Sequence, residues 1–256
     1  MSTWDPDRYL QFADHRARPF VDLVARIEGS PASIVDLGCG PGQLTDVLHT
    51  RWPSARVHGV DSSAEMIDRA TSRPADDRAT YELADLATWT PSGPVDLMVS
   101  SAVFQWVPRQ LDVIERLSRH VADGGTFALQ VPRNYDGPSH TLLRDLAATE
   151  PYAAHTAGIP GDRGTDPVVY LDLFARRGWT VDLWETTYFQ VLQGPDPVFD
   201  WISGTGARPY LQALPDDLRG AFVDVYRAAL RDAYPAAPYG TVLPFRRTFV
   251  IARRES

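Results

Sequence analysis

The stretch Val35-Asp36-Leu37-Gly38-Cys39-Gly40-Pro41-Gly42 decides how this chain folds. An apolar run closes on a carboxylate, breaks into Gly38, Gly40 and Gly42, and passes into helical periodicity from Gln43 to Arg51. This is the form of a strand turning sharply into a helix. Glycine admits positive φ and lets the backbone approach a ligand, and free N–H groups at a helix start face that ligand. Such a turn can hold a carboxylate as readily as a phosphate. Alone it is a weak signal, because the same geometry serves dinucleotides or simply joins a strand to a helix.

Outward from that turn, short apolar runs alternate with segments of helical period, as in a parallel sheet covered on both faces. Strands are expected at Ser33 to Leu37, Arg56 to Val60, Thr80 to Ala84, Leu97 to Ser101 and Phe127 to Val131. Helices are expected at Gln43 to Arg51, Ala64 to Ser72 and Arg109 to Val121, with Asp123-Gly124-Gly125 ending the last before its strand. Past Val131 the pattern weakens through a segment rich in Pro, Gly and Asp, with a short helix from Ser139 to Ala148. It resumes with a helix from Pro167 to Arg177 and an alternating strand from Trp179 to Val191. Two helical stretches follow, Val198 to Ser203 and Asp216 to Tyr234, before a closing strand from Phe245 to Arg253. The expected architecture is a doubly wound α/β core in one domain spanning 1–256, with an N-terminal helical lid at 1–30. Residues 31–132 form the cofactor-binding core, and a helical cap at 195–240 is inserted before the last strand.

The charge balance narrows the partners. A net charge of -8 presents a repulsive surface to a phosphate backbone, so no nucleic-acid partner is expected. The only cysteine, Cys39, forms no intrachain disulfide and suits a reducing, cytoplasmic compartment. The start of the chain lacks a basic and an apolar targeting region, and no segment has the apolar length of a membrane span. Every basic side chain other than histidine is arginine, so lysine chemistry is excluded.

Two further carboxylates accompany the turn. Asp61 ends the second strand in Gly59-Val60-Asp61-Ser62-Ser63, where it can accept from both hydroxyls of a ribose or merely cap the next helix. Asp85 follows the third strand in Leu83-Ala84-Asp85-Leu86 and can accept an adenine amino group, with Leu86 against the ring, or serve as an N-cap. Asp36 to Gly42, Asp61, Asp85 and Asp123-Gly124-Gly125, in that order, resemble the successive motifs of class I S-adenosylmethionine-dependent methyltransferases. The spacing G-x-G-x-G, in place of G-x-G-x-x-G, leaves a hydride-transferring NAD enzyme a distant second. The resemblance implies a Rossmann-like, seven-stranded sheet with the last strand antiparallel and S-adenosylmethionine as cofactor. The implied cofactor residues are Asp36, Gly38, Gly40, Gly42, Asp61, Ser62, Met66, Asp85, Leu86 and Ser101, with Arg16 or Arg18 for its carboxylate.

Segments outside the common core carry a closer resemblance. Trp4 to Phe12, Arg16-Ala17-Arg18-Pro19, Phe104-Gln105-Trp106, Trp201, Thr205 to Tyr210 and Phe249 to Arg254 are together similar to the branch of that family that methylates trans-aconitate. The segment from Glu150 to Asp166 departs from that pattern. A small polycarboxylate acceptor follows from the resemblance, and it needs no catalytic base, because carboxylates with pKa values of about 4 are ionised at neutral pH. An arginine cluster must draw that anion into a net-negative protein, and Arg133, Arg208, Arg246 and Arg247 are the candidates. Alternation along the last strand lets only one of Arg246 and Arg247 face inward. Arginine on the reacting carboxylate would blunt its nucleophilicity, so Gln105, Trp106 and Tyr210 are assigned to that group. His140 and His155 are expected to be exposed loop residues without a role. Tyr9, Phe12, Arg16 and Arg18 recur at helical spacing, as in a helix that closes over the cofactor. Alternatives are a methyltransferase for another small acid or an acyl thioester, and a non-catalytic S-adenosylmethionine-binding regulator.

Overall fold

The computed structural model of the chain describes residues 13–159 and 164–255, excluding the side chains of residues 13–16. Tyr9, Phe12 and the rest of the expected lid before Ala13 therefore lie outside the described residues.

In chain order the elements are helix α1 (Ala13–Arg26), strand β1 (Ser33–Leu37), α2 (Thr45–Arg51), β2 (Arg56–Asp61), α3 (Ala64–Thr71), β3 (Ala79–Leu83) and β4 (Val95–Ser101). A single 3-10 turn (Phe104–Trp106) leads to α4 (Gln110–Ser118), β5 (Val121–Pro132), α5 (Pro138–Ala147), α6 (Ala153–Thr156), α7 (Pro167–Ala175) and β6 (Trp179–Leu192). The chain closes with α8 (Pro197–Ser203), α9 (Arg208–Ala213), α10 (Asp216–Ala233), β7 (Ala236–Ala237) and β8 (Gly240–Arg254). The strand order is β3-β2-β1-β4-β5-β8-β6, with the two-residue β7 paired beside β8. The pairs from β3 to β5 are parallel, and β8 runs antiparallel to β5, with Gln130 opposite Phe249 and Pro132 opposite Arg247. Sequence order reverses around β1 and β4, and in open α/β sheets that is where ligands bind, beyond the carboxyl ends of the strands.

The chain divides into two compact units. The first comprises Asp14–Pro132, Thr165–Thr186 and Arg247–Ser256. Its central strands are buried on both faces, which is why they read as continuous apolar runs. Phe104, Phe127, Leu129, Tyr170 and Phe174 fill its core. Ser63 caps α3, accepting from the Met66 N–H at 3.4 Å, so the capping role that competed for Asp61 belongs to its neighbour.

The second unit, from Arg133–Gly164 and Thr187–Arg246, has its own core of Leu143, Tyr152, Phe199, Trp201, Phe222 and Tyr226. The Tyr234 hydroxyl accepts from the Ser139 N–H at 3.0 Å, and Tyr226 donates to the Ser139 carbonyl, tying α10 to the start of α5.

Two expectations are corrected here. Asp123-Gly124-Gly125 does not end a helix: α4 stops at Ser118, and these residues lie within β5, where the register against β4 shifts between Val95 and Leu97. A third helix, α9, stands between the two expected at 195–240, with Pro209 supplying the fixed φ of its first turn.

Candidate active site

The turn after β1 is shaped by what surrounds it. Gly38 has φ 78°, and a Cβ there would come within 2.2 Å of Val103 Cγ2. At Gly42, φ 73°, a Cβ would meet the Tyr81 hydroxyl at 2.7 Å. No other residue satisfies both the backbone and the space. Tyr81 stands opposite Gly59 across β2 and β3, and its hydroxyl donates to Thr45 Oγ1 at 3.1 Å. Sequence reasoning missed Tyr81, because only the strand register shows that one aromatic ring covers two glycines.

Four of the N–H groups of this turn are already engaged within the chain. Gly38 and Cys39 donate to the Val60 carbonyl at 2.7 and 3.1 Å, Gly40 donates to Asp61 Oδ2 at 2.9 Å, and Gly42 donates to the Cys39 carbonyl at 3.2 Å. The helix itself begins only at Thr45. What the turn offers is carboxylate chemistry. Asp36 is 1% exposed, and neither of its oxygens has a partner among the described residues. Burial, and after it the charge of Asp61, push its carboxyl up to about 7. An orphaned acid so placed calls for a cation or a hydrogen-bond donor.

Asp61 differs from it. Its oxygens accept from Gly40 and from Ser63 N, each at 2.9 Å, and burial still raises its pKa against those bonds. A carboxylate has about four lone-pair sites, so room remains for ribose hydroxyls. Ser62 is exposed beside it, and Met66 is buried on α3. Burial, then Asp36 and Asp61, push the Cys39 thiol up, so it stays protonated.

Asp85 lies two residues beyond β3 and accepts from the Ala87 N–H at 2.8 Å, an exposed turn with one oxygen left over. Leu86, expected against the adenine ring, is buried in the core cluster that also holds Val60 and Trp89. Leu83, opposite Asp61 in the register and 54% exposed, is the available apolar surface at that strand end. The Arg16 side chain lies outside the described residues, and Arg18 is exposed on α1.

The acceptor candidates fall in both units. In the first, Gln105 donates to the Ala102 carbonyl at 2.6 Å, and its Oε1 is buried without a partner among the described residues. Trp106 is 52% exposed, and Ser101 accepts from Gln130 Nε2 at 2.7 Å. Arg247, 4% exposed, donates to Gln130 Oε1 at 3.0 Å. In the second, Arg246 is already neutralised: it donates to both oxygens of Asp136 at 2.7 Å and to the Arg133 carbonyl at 3.0 Å. Arg133 and Arg208 are half-buried, Arg208 opening α9, and Tyr210 is buried on the same helix. His140 is not the exposed loop residue expected. It sits on α5 against Tyr135, with its Nε2 facing Gly206, and burial, then Arg144, pull it down to about 4. His155 is exposed, as expected, though it lies on the short α6.

Residues 9–185 match a family model described as a methyltransferase domain. A trans-aconitate 2-methyltransferase of Streptomyces avermitilis is 47% identical, covering 99% of this chain and 98% of its own. One from Azoarcus is 45% identical over 99% and 100%. Among solved structures, the YcgJ protein of Bacillus subtilis aligns over 95% of this chain and 99% of its own, with TM-score 0.60 and 11% identity. A plantazolicin methyltransferase in complex with SAH aligns over 97% and 90%, with TM-score 0.52 and 13% identity. Those two likenesses concern the fold, whereas the trans-aconitate 2-methyltransferases match over nearly the whole chain. No helix among the described residues is long and apolar enough to cross a membrane. The chain is an S-adenosylmethionine-dependent methyltransferase and belongs to the trans-aconitate 2-methyltransferase family.

Proposed function

We propose that the chain transfers a methyl group to a carboxylate oxygen of trans-aconitate, forming its monomethyl ester. The observation that carries this reading is end-to-end identity to trans-aconitate 2-methyltransferases from several bacteria. When bound, S-adenosylmethionine supplies an electrophilic methyl group on a sulfonium centre. In this reading Asp36 receives the α-ammonium of the cofactor, Asp61 the ribose hydroxyls, and Leu83 the face of the adenine ring, with Asp85 at its edge. Arg208 and Arg133 hold the non-reacting carboxylates, while the neutral donors Gln105, Trp106 and Tyr210 suit the reacting one. Arg246 reaches the acceptor only by giving up Asp136.

The chain's work is alignment and exclusion of water, because an ionised carboxylate needs no proton removed before it attacks. His140, held neutral by burial, is not required as a base. His140→Ala and His155→Ala are therefore expected to keep single-turnover rates within about tenfold of the parent, well short of the ~10²–10⁴ that a general base supplies. Loss of several orders of magnitude in either variant would sink the base-free mechanism. The substrate assignment is tested by comparing kcat/KM for trans-aconitate, cis-aconitate and a monocarboxylic acid. Trans-aconitate should be preferred by at least tenfold, and a monocarboxylate used equally well would overturn it.

A further inference from the structure

Arg247 is a buried arginine on β8, opposite Pro132 of β5, and one of its bonds goes to the neutral side-chain amide of Gln130, the residue that pairs with Ser101 at the carboxyl end of β4. A guanidinium only donates, so the Gln130 amide must turn its oxygen to Arg247 and its NH₂ the other way. That NH₂ reaches Ser101 Oγ at 2.7 Å. An amide NH₂ also only donates, so the serine oxygen is the acceptor in that bond. The Ser101 proton is thereby left over, and the hydroxyl, partly exposed, donates to no other described group. The main-chain carbonyl of Gln130 meanwhile accepts from the Ala102 N–H at 2.9 Å, and Ala102, the residue after Ser101, is left-handed with φ 56°. Ser101 follows Ser100, which pairs with Leu37 at the mouth of the glycine turn.

We infer that Arg247, acting through Gln130, holds the Ser101 hydroxyl as a hydrogen-bond donor toward a ligand carboxylate at the carboxyl end of β4. Arg247 is then a positioning residue and not a direct substrate ligand, and Ser101 is the group that touches the ligand. This rests on the proposed site only in that both carboxylate sources belong to it: the methionine carboxylate of the cofactor and a carboxylate of the acceptor. Nothing covalent changes at Ser101.

The test turns one proton around. Gln130→Glu keeps a partner for Arg247, but its carboxylate only accepts, so Ser101 must donate to it and is withdrawn from the ligand. Ser101→Ala withdraws it directly. Both variants should weaken the same ligand by a similar factor, about fivefold to thirtyfold, and the double variant should be no worse than either single one. Calorimetry with S-adenosylhomocysteine reads the cofactor side, and KM for trans-aconitate at saturating cofactor reads the acceptor side. A loss confined to the first places the hydroxyl on the methionine carboxylate, and one confined to the second on the acceptor. Gln130→Glu with unchanged melting temperature and both affinities intact overturns the inference, as does a Ser101→Ala defect that adds fully to it. If Ser101→Ala and Gln130→Glu weaken S-adenosylhomocysteine equally while trans-aconitate is not methylated at all, the relay stands and the substrate reading alone fails.

Discussion

Asp36→Asn is expected to raise the melting temperature of the ligand-free protein at pH 8 and, in the same variant, to weaken S-adenosylmethionine binding by about 10–100-fold. Both effects follow from one buried carboxylate that has no partner among the described residues. Its pKa is raised from 3.8 to about 7, so the folded state holds a proton there that the unfolded chain releases above pH 4. Stability of the ligand-free protein should therefore fall as pH rises from about 4 to about 7 and level off above that. Asparagine carries no charge to desolvate, and the variant should melt higher by a few degrees at pH 8 and by clearly less at pH 5, where only the first part of the loss has set in. The ammonium of the cofactor loses a charged acceptor, worth ~1.5–3 kcal/mol. Melting curves at the two pH values, with calorimetry at pH 8, check both. A variant that is less stable at pH 8 and binds normally would remove Asp36 from the cofactor site.

Arg208→Lys is expected to raise KM for trans-aconitate by about tenfold or more, near 1.4 kcal/mol, with cofactor affinity within error. Lysine keeps the charge but loses the planar fork that makes two parallel bonds to a carboxylate. The residue opens α9, where Pro209 and the Arg208 N–H to Thr205 carbonyl bond at 3.1 Å fix its backbone. Steady-state kinetics with both ligands separates the outcomes. A cofactor defect would move Arg208 to the other ligand, and no defect would leave it a surface charge.

The sheet and its turns were more legible in the sequence than the contacts of the arginines, for a physical reason. Strands β1 to β5 are bounded by glycines and carboxylates whose roles are local, so the alternation and the turn can be read from neighbours in sequence. Contacts set by tertiary packing could not be read: Tyr81 over Gly42, and Leu83 exposed while Leu86 turns into the core. Arginines gave the least. Arg246 and Arg247 are adjacent, and alternation shows that they part company, but not that one meets Asp136 and the other Gln130, residues more than a hundred positions away. The bulge at Asp123-Gly124-Gly125 misled because glycines that end a helix also loop out of a strand, and β5 begins before them.

The central claim is methyl transfer to a carboxylate oxygen, and it is tested most directly by finding the transferred carbon. The full chain is incubated with S-adenosylmethionine labelled with carbon-13 in its methyl group, in the presence of trans-aconitate, and the product is followed by NMR before and after mild alkali. One new methyl ester signal should appear that depends on trans-aconitate and is released as methanol by alkali. An alkali-stable methyl group, or consumption of the cofactor with no label on the acid, would contradict that claim.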